Sequence, residues 1–520
     1  MQNPGAPRTA RRARREFLPS AFVLLNAVAF VLVRPGVPDL WAARARASAV
    51  GHGVGLSYWF SWFGGSTPGN YSVITPYLCA KLGTELVPGA AAVTIAVLAT
   101  ALVRGTARPE AAACAAAFAV VVNLWCGRVP FLLGSAFAVA ALVGVRRRAT
   151  FTVVPLSVAS VLASPIAGAF LCLGLSGLVL TARLRRYRTP AVLAIAGAGG
   201  TLVALAAVFG VPGPEPFPPY LICEILLALA LMLVAAPPDH FRGTLLVAVG
   251  ASVVLFVVPN GIGANFLRLA LFGLPPAAVA LCRRPARSLA VLLAPLLVFG
   301  ALSSASALVS ATQPGSSASY YAQLASELDA LPTVADYRLE LVGASHAAYT
   351  ALLSHAALAR GWETQEDLAL NARLESPSLD AHSYRDWLDD NAVGYVAVNL
   401  PADAGPEARL ITGRRPAYLH QIWRRAHWRL FAVGHPTPIV ARPAVLTASS
   451  EAELTVHVPC ACQVPLRIRW SRFLSVEPRL VAHTADDVED TYRPTVTPSA
   501  EGWTTLTTNR AGTYVLAGSI

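Results

Sequence analysis

Eleven long apolar stretches, punctuated by arginines, leave this chain of 520 residues few ways to fold. A bilayer core roughly 30 Å thick takes ~20 apolar residues per helix, and every backbone polar group inside it must be paired within a helix or a closed barrel. Runs such as 245–258 and 288–309 are continuous rather than alternating, which selects helices. The residues are 55% hydrophobic and 13% charged, with a mean hydropathy of +0.53. A soluble protein of this length rarely has that balance. The net charge of +12 would suit nucleic acid in a soluble chain. Here the arginines crowd the ends of the apolar runs, where the positive-inside rule puts them, so no nucleic-acid partner is implied.

The expected helices run at about 17–34, 86–103, 110–125, 130–145, 150–163, 166–182, 190–210, 220–236, 244–258, 265–282 and 288–311. Arg8, Arg11, Arg12, Arg14 and Arg15 hold the N-terminus inside. Each later inner turn carries arginine too: Arg104 and Arg108, then 146–148, then Arg183 to Arg188, Arg242, and finally Arg283, Arg284 and Arg287. The fold class is therefore a membrane all-α domain of about 11 spans, N-in and C-out, in the plasma membrane, followed by an extracytoplasmic soluble part. The divisions are a basic cytoplasmic stretch 1–16, a membrane domain 17–311 with a large outer loop 35–85, an α/β domain 312–435 and a β-sandwich module 436–520. The apolar run after the basic N-terminus lacks a small-residue cleavage site and reads as an anchor, not a signal peptide.

The exceptions to the charge rule carry the chemistry. Arg44, Arg46 and Lys81 sit in the first outer loop, Arg128 in the second, and Arg268 one turn into the helix at 265–282. Any one of them can snorkel to the interface; a cluster of them would suit an anionic ligand such as a lipid phosphate. Asn265 and Arg268, three apart, are expected on one helix face. The stretch 40–50, with Arg44 and Arg46, reads as an amphipathic helix lying in the interface. Asp39 is the single carboxylate between Glu16 and Glu85. It can cap a turn, pair with Arg44 or Arg46, or act as a general base on an acceptor hydroxyl. Tyr58, Trp59, Trp62 and Tyr71, around a Gly-Gly and a Pro-Gly turn, fit either an interfacial aromatic belt or a platform that stacks on sugar rings.

In the soluble part, strands are expected at 337–342, 393–398 and 423–433 and a helix at 384–391. Short alternating runs at 453–458, 465–470, 502–508 and 512–517 then suggest a sandwich. Glu363, Glu366 and Asp367 after Trp362 read as a solvated acidic face, or else Trp362 and Glu363 touch an acceptor glycan. Cys460 and Cys462 flank one residue; a bond between them would be strained, so free thiols or an unusual bridge are expected. The histidines and cysteines follow no metal spacing and the loop offers no acidic motif to hold a divalent metal, so no metal ligands are assigned and no cofactor is expected.

The strings 58–76, Cys126-Gly127-Arg128-Val129-Pro130-Phe131 with Gly134, Ala163-Ser164-Pro165-Ile166-Ala167-Gly168, 263–269, 359–363 and 384–391 together resemble the GT-C superfamily of membrane glycosyltransferases. More narrowly, the chain resembles actinobacterial multi-pass proteins often labelled as membrane proteins or transporters. The resemblance implies a similar helix count, short helices in the first outer loop, and a catalytic acid near the outer end of the first helix. It also implies a polyprenyl-phosphate sugar donor and a cell-envelope glycan or lipid acceptor on the outer face. Asp39 then becomes the catalytic base, and Arg128 and Arg268 the phosphate ligands. The single Asp departs from relatives that carry a second acid in this loop. A transporter or flippase of envelope precursors, or a non-catalytic membrane-anchored scaffold binding glycan or a partner, are the alternatives; no inverted or parallel repeat supports the first.

Overall fold

The computed structural model describes residues 6–181, 184–211, 213–400, 405–478 and 493–519, with the side chains of 6–16 outside the description. The side chains of Arg8 to Arg15, and Arg183, on which the expected sidedness partly rests, thus lie outside the described residues. The chain divides into two compact units, one of Met1–Ala43 with Asn70–Thr312, the other of Arg44–Gly69 with Gln313–Ile520.

The first unit is helical. After α1 (Ala6–Val33) and the start of α2 (Pro38–Gly51), it contains α3 (Thr75–Leu82), α4 (Leu86–Val103), α5 (Pro109–Trp125), α6 (Val129–Arg147), α7 (Thr150–Ala163) and α8 (Pro165–Leu180). There follow α9 (Arg185–Phe209), α10 (Pro219–Val234), α11 (Asp239–Val257), α12 (Leu274–Leu281) and α13 (Ala286–Ala311). A 3-10 turn at Gly263–Phe266 and a π-helical stretch at Leu269–Gly273 lead into α12. Asn265 and Arg268 therefore do not share a regular α-helical face: the first lies in the 3-10 turn and the second at the entry to the π stretch.

Six segments are long and apolar enough to cross a membrane: α4, α6, α9, α11, Gly263–Leu281 and α13. The bent pair Phe17–Val33 and Pro38–Gly51, at 66°, makes seven if it counts as one span. Four expected spans, α5, α7, α8 and α10, are helices of 14 to 17 residues. At 1.5 Å per residue they reach only about 21–26 Å. Local chemistry explains one shortening. Ser164 ends α7 and caps α8, accepting from the Ala167 amide, and Pro165 at the first position of α8 cannot continue the preceding helix. Small residues seat the helices closely: a Cβ on Gly134 would lie 2.8 Å from the side chains of Ala167 and Ser164.

The second unit holds α14 (Ala322–Ala330), α15 (Ala348–Ala351), α16 (Thr364–Asn371), α17 (Ala381–Asp390) and α18 (Pro406–Thr412). Its strands are β1 (Arg338–Val342), β2 (Val393–Asn399), β3 (Leu419–Arg425), β4 (Trp428–Val433), β5 (Val445–Ser449) and β6 (Glu453–Val458). β7 (Gln463–Arg469), β8 (Leu474–Pro478), β9 (Thr495–Pro498), β10 (Trp503–Thr507) and β11 (Gly512–Gly518) complete it. One sheet has the order β1-β2-β4-β3, with β1 parallel to β2 and the other pairs antiparallel. The region expected as one strand at 423–433 is instead a hairpin of β3 and β4, closed by Ala426 and His427, with Ala426 at φ 45°. Two further antiparallel sheets, β7-β10-β9 and β5-β6-β11-β8, share one apolar core that includes Val456, Leu466, Leu506 and Leu516.

Two expectations about the first outer loop are corrected. Residues Arg44–Gly69 belong with the C-terminal unit, because Tyr58 and Phe60 complete that same core. The helix expected at 40–50 exists as α2, but Ala42, Ala43, Ala45, Arg46, Ala47 and Ala49 are all buried. Arg46, expected on its polar side, is thus inside, while Arg44 is half-buried and Ser48 exposed. Cys460 and Cys462 form a disulfide around Ala461, so the expectation of free thiols gives way to the unusual bridge.

Candidate functional site

Within the first unit, one point brings charged side chains together from four segments far apart in sequence. Asp39 stands in the first turn of α2, just after Pro38 has opened the helix. Arg128 is the residue before α6, and its Nε lies 3.3 Å from Asp39 Oδ2. Gly127 makes the meeting possible. It adopts φ +76°, and a Cβ there would lie 2.6 Å from Val37 Cγ2 and 2.9 Å from the Leu40 amide. Only glycine takes that conformation and that approach together. The two side chains are covered but reachable, with 18% of Arg128 and 27% of Asp39 exposed.

Arg268 joins them, within electrostatic reach of Asp39, Arg128, Tyr71 and Glu215. The two guanidiniums rest on crossed aromatic rings. Arg128 sits 5.6 Å from the centroid of Phe272, on the π-helical stretch, and Arg268 sits 5.5 Å from that of Phe131 on α6. The rings hold the cations by their faces. Arg128 Nη1 is buried and has no hydrogen-bond partner among the described residues.

Glu215 was not singled out from the sequence. It lies in the loop between α9 and α10, where its amide donates to Asn260 O at 2.9 Å and Pro216 O accepts from the Ala264 amide at 3.1 Å. Gly263, at φ +41°, gives way to it: a Cβ there would lie 2.4 Å from Glu215 O. Burial pushes the Glu215 carboxyl upward, Arg268 draws it down, and Asp39 raises it again. A polar residue in a short Pro-rich link between two apolar runs was the available signal. Among the described residues no group of three or more His, Cys, Asp or Glu is arranged to hold a metal ion.

Of the remaining sequence candidates, Tyr71 lies within electrostatic reach of Arg268. Tyr71 and Asn265 are half-buried residues of the first unit. Tyr58, Trp59 and Trp62 belong to the second unit and are 3%, 1% and 0% exposed, so their rings are core rather than an open sugar platform. Trp59 Nε1 donates to Glu451 Oε2 at 2.9 Å, Trp62 Nε1 to Tyr349 O at 3.2 Å, and the Tyr58 hydroxyl to Arg469 O at 2.6 Å. Glu363 is not on a solvated face either: it is buried and ion-paired with Arg46. Trp362 is half-buried, with His346 5.7 Å away. Beside Glu363, Glu366 is pushed up to about 8 by burial and then by the Glu363 charge.

Among known proteins, the chain matches no family model and no curated sequence. A carboxylate paired with Arg128, whose Nη1 has no hydrogen-bond partner among the described residues, and with Arg268 in reach, suits attack by a hydroxyl on a centre whose leaving group is an oxyanion.

Proposed function

We propose that this protein is a membrane glycosyltransferase of GT-C type, which moves a sugar from a polyprenyl-phosphate donor to an envelope glycan or lipid acceptor on the extracytoplasmic face. The observation that carries the reading is the Asp39–Arg128 pair at 3.3 Å with Arg268 in reach. The acceptor hydroxyl gives its proton to Asp39 as its oxygen attacks the anomeric carbon. The bond from that carbon to the phosphate oxygen breaks, and the electron pair leaves with the polyprenyl phosphate. Arg128 and Arg268 bind the charge that grows on the leaving phosphate, the form of catalysis that gains most from fixed, partly desolvated donors. Tyr71 and Asn265 orient the sugar. One base and direct displacement give inversion.

The topology we propose is eleven crossings, N-in and C-out, with the four short helices accommodated by local thinning and snorkelling arginines. The Cys460–Cys462 disulfide agrees with an oxidising, extracytoplasmic setting for the second unit. Membrane lipids and the lipid-linked donor are the partners this reading requires.

The test is incorporation of labelled sugar into membranes by the wild type and by Asp39→Asn. The amide keeps the shape of the side chain and cannot take the proton, so transfer drops by ~10²–10⁴ while the helical unit melts as before. Equal incorporation by a well-folded Asp39→Asn protein would refute sugar transfer through this base.

A further inference from the structure

Between Glu407 and Glu451 the chain has seven arginines and no carboxylate. The structure puts five of them in and around one hairpin. β3 is the edge strand of its sheet, and Arg424 and Arg425 on it are exposed, as are Arg414 and Arg415 just before it. Arg424 stands directly opposite Arg429 of β4 in the antiparallel register. Like charges facing each other across a ladder destabilise it. Among the described residues none of the five arginines has an ion-pair partner, and the buried Nε of Arg429 has no hydrogen-bond partner. An uncompensated cationic edge of this kind is matched by an anion supplied from outside the chain.

Its shape narrows the partner. Successive side chains of a strand point to opposite faces, so Arg424 and Arg425 flank the edge on both sides. A planar bilayer surface can meet only one of those sides, whereas a polymer lying along the edge meets both. The seven residues of β3 span ~23 Å, a length suited to several repeats of a chain rather than to one head group. Ile422 is 44% exposed, and the half-buried Trp423 lies between it and Arg424. These add an apolar surface suited to sugar rings between the charges. We infer that the β3 edge is a docking surface for a linear anionic polysaccharide. The inference stands on the second unit alone and is independent of sugar transfer at Asp39.

The full chain in nanodiscs of zwitterionic lipid would be titrated with fluorescently labelled polygalacturonate, a chain of sugars with one carboxylate per repeat. Neutral dextran, inorganic polyphosphate and phosphatidylglycerol vesicles are the comparison ligands. Polygalacturonate is expected to bind more tightly than all three, with an affinity that falls as salt is raised. Replacing Arg424 and Arg425 together by Glu is expected to lower that affinity at least about tenfold and flatten its salt dependence. Arg493→Glu, an exposed arginine next to β9 with the same charge change per site, is expected to leave it unchanged. If the double Glu protein melts early, Arg424→Gln with Arg425→Gln serves instead, with a loss of roughly threefold or more. Any of four results overturns the inference: equal binding of dextran, equal binding of polyphosphate, binding of vesicles alone, or equal losses in the Arg493 and β3 variants.

Discussion

Two clusters of arginine and carboxylate, one in each unit, use the same chemistry to different ends. In the second unit, Arg360 holds Asp367 through Nε at 2.8 Å and again through Nη2, and it lies 3.7 Å from both Glu340 and Glu407. The Tyr384 hydroxyl donates to Glu407 at 2.6 Å, and Asn371, held by Trp387 Nε1, donates to Asp367 at 2.9 Å. Glu340 is wholly buried in β1, and burial pushes its carboxyl well above the usual range, with Glu407 adding to the rise. Acid exceeds base, and both buried oxygens of Glu340 are left with no hydrogen-bond partner among the described residues. In the first unit two arginines meet Asp39 and Glu215, the rings of Phe131 and Phe272 back the guanidiniums, and the pair at the centre stays partly exposed. A closed knot with one cation organises a fold. A half-open cluster with spare N–H groups is poised for an anion.

The comparison breaks most readily at Arg360. Arg360→Leu strands Glu340, Asp367 and Glu407, and the more exposed Glu375, without their shared cation, and breaking a buried pair by removing one partner costs ~3–5 kcal/mol. The second unit should lose its cooperative melting transition, followed by tryptophan fluorescence in detergent, while the helical signal of the first unit persists. Arg268→Gln should do the reverse. Melting stays as in the wild type, and labelled-sugar transfer falls by ~10²–10³, the range for loss of one donor to a developing oxyanion. If Arg268→Gln unfolds the protein and leaves transfer per folded molecule intact, the two clusters are of one kind.

Gly127→Ala probes how the half-open cluster is held. The new Cβ meets Val37 and the Leu40 amide at a positive φ, a strain of ~1–3 kcal/mol. The expected result is a lowered melting temperature together with a transfer defect, because the turn that presents Arg128 to Asp39 has to shift. A transfer rate unchanged in the folded fraction would show that the pair does not depend on that turn.

These clusters also mark where the sequence could be read and where it could not. Apolar runs announce helices, and ten of the eleven expected ones form as α-helices, while the run at 265–282 breaks into a 3-10 turn, a π stretch and α12. The length of each helix depends on local breakers such as Ser164-Pro165. Asp39 and Arg128 stood out because each is a charge where apolar or opposite-signed residues are the rule. Glu215 did not, since nothing local ties it to Arg268; the loop packing at Gly263 does. The aromatics at 58–63 look alike whether they face a sugar, a lipid interface or a core. Their burial follows from residues nearly four hundred positions later, such as Glu451 taking the Trp59 N–H. The hairpin at Ala426 carries no Gly, Asn or Asp to announce a positive φ, so its two strands read as one.

The mildest expected effect belongs to Glu366, at the margin of the second unit's charge network. Its carboxyl, raised to about 8, is governed by burial first, then by Glu363, which raises it, then by Arg46 and Arg469, which lower it, and then by Asp367, which raises it again. The folded state therefore binds a proton that the unfolded chain, titrating near the ordinary glutamate value of ~4.3, has already released. Stability must fall as pH rises between those two values, because the native state binds more protons there than the unfolded one. The contribution is fully present below about pH 4 and lost by the time pH passes about 8. Glu366 is only partly covered, so solvent screening reduces the effect to ~1 kcal/mol, or roughly 2–4 °C in melting temperature for a unit of this size. Glu366→Gln should flatten that drift and leave the protein more stable than the wild type at pH 8, because the amide keeps the volume and never acquires the charge. A wild-type melting temperature that rises from pH 5 to pH 8, or a Gln variant with the same slope, would mean that Arg46 and Arg469 hold Glu366 ionised in the fold. The second unit would then tolerate free charge as readily as the cluster around Asp39 does.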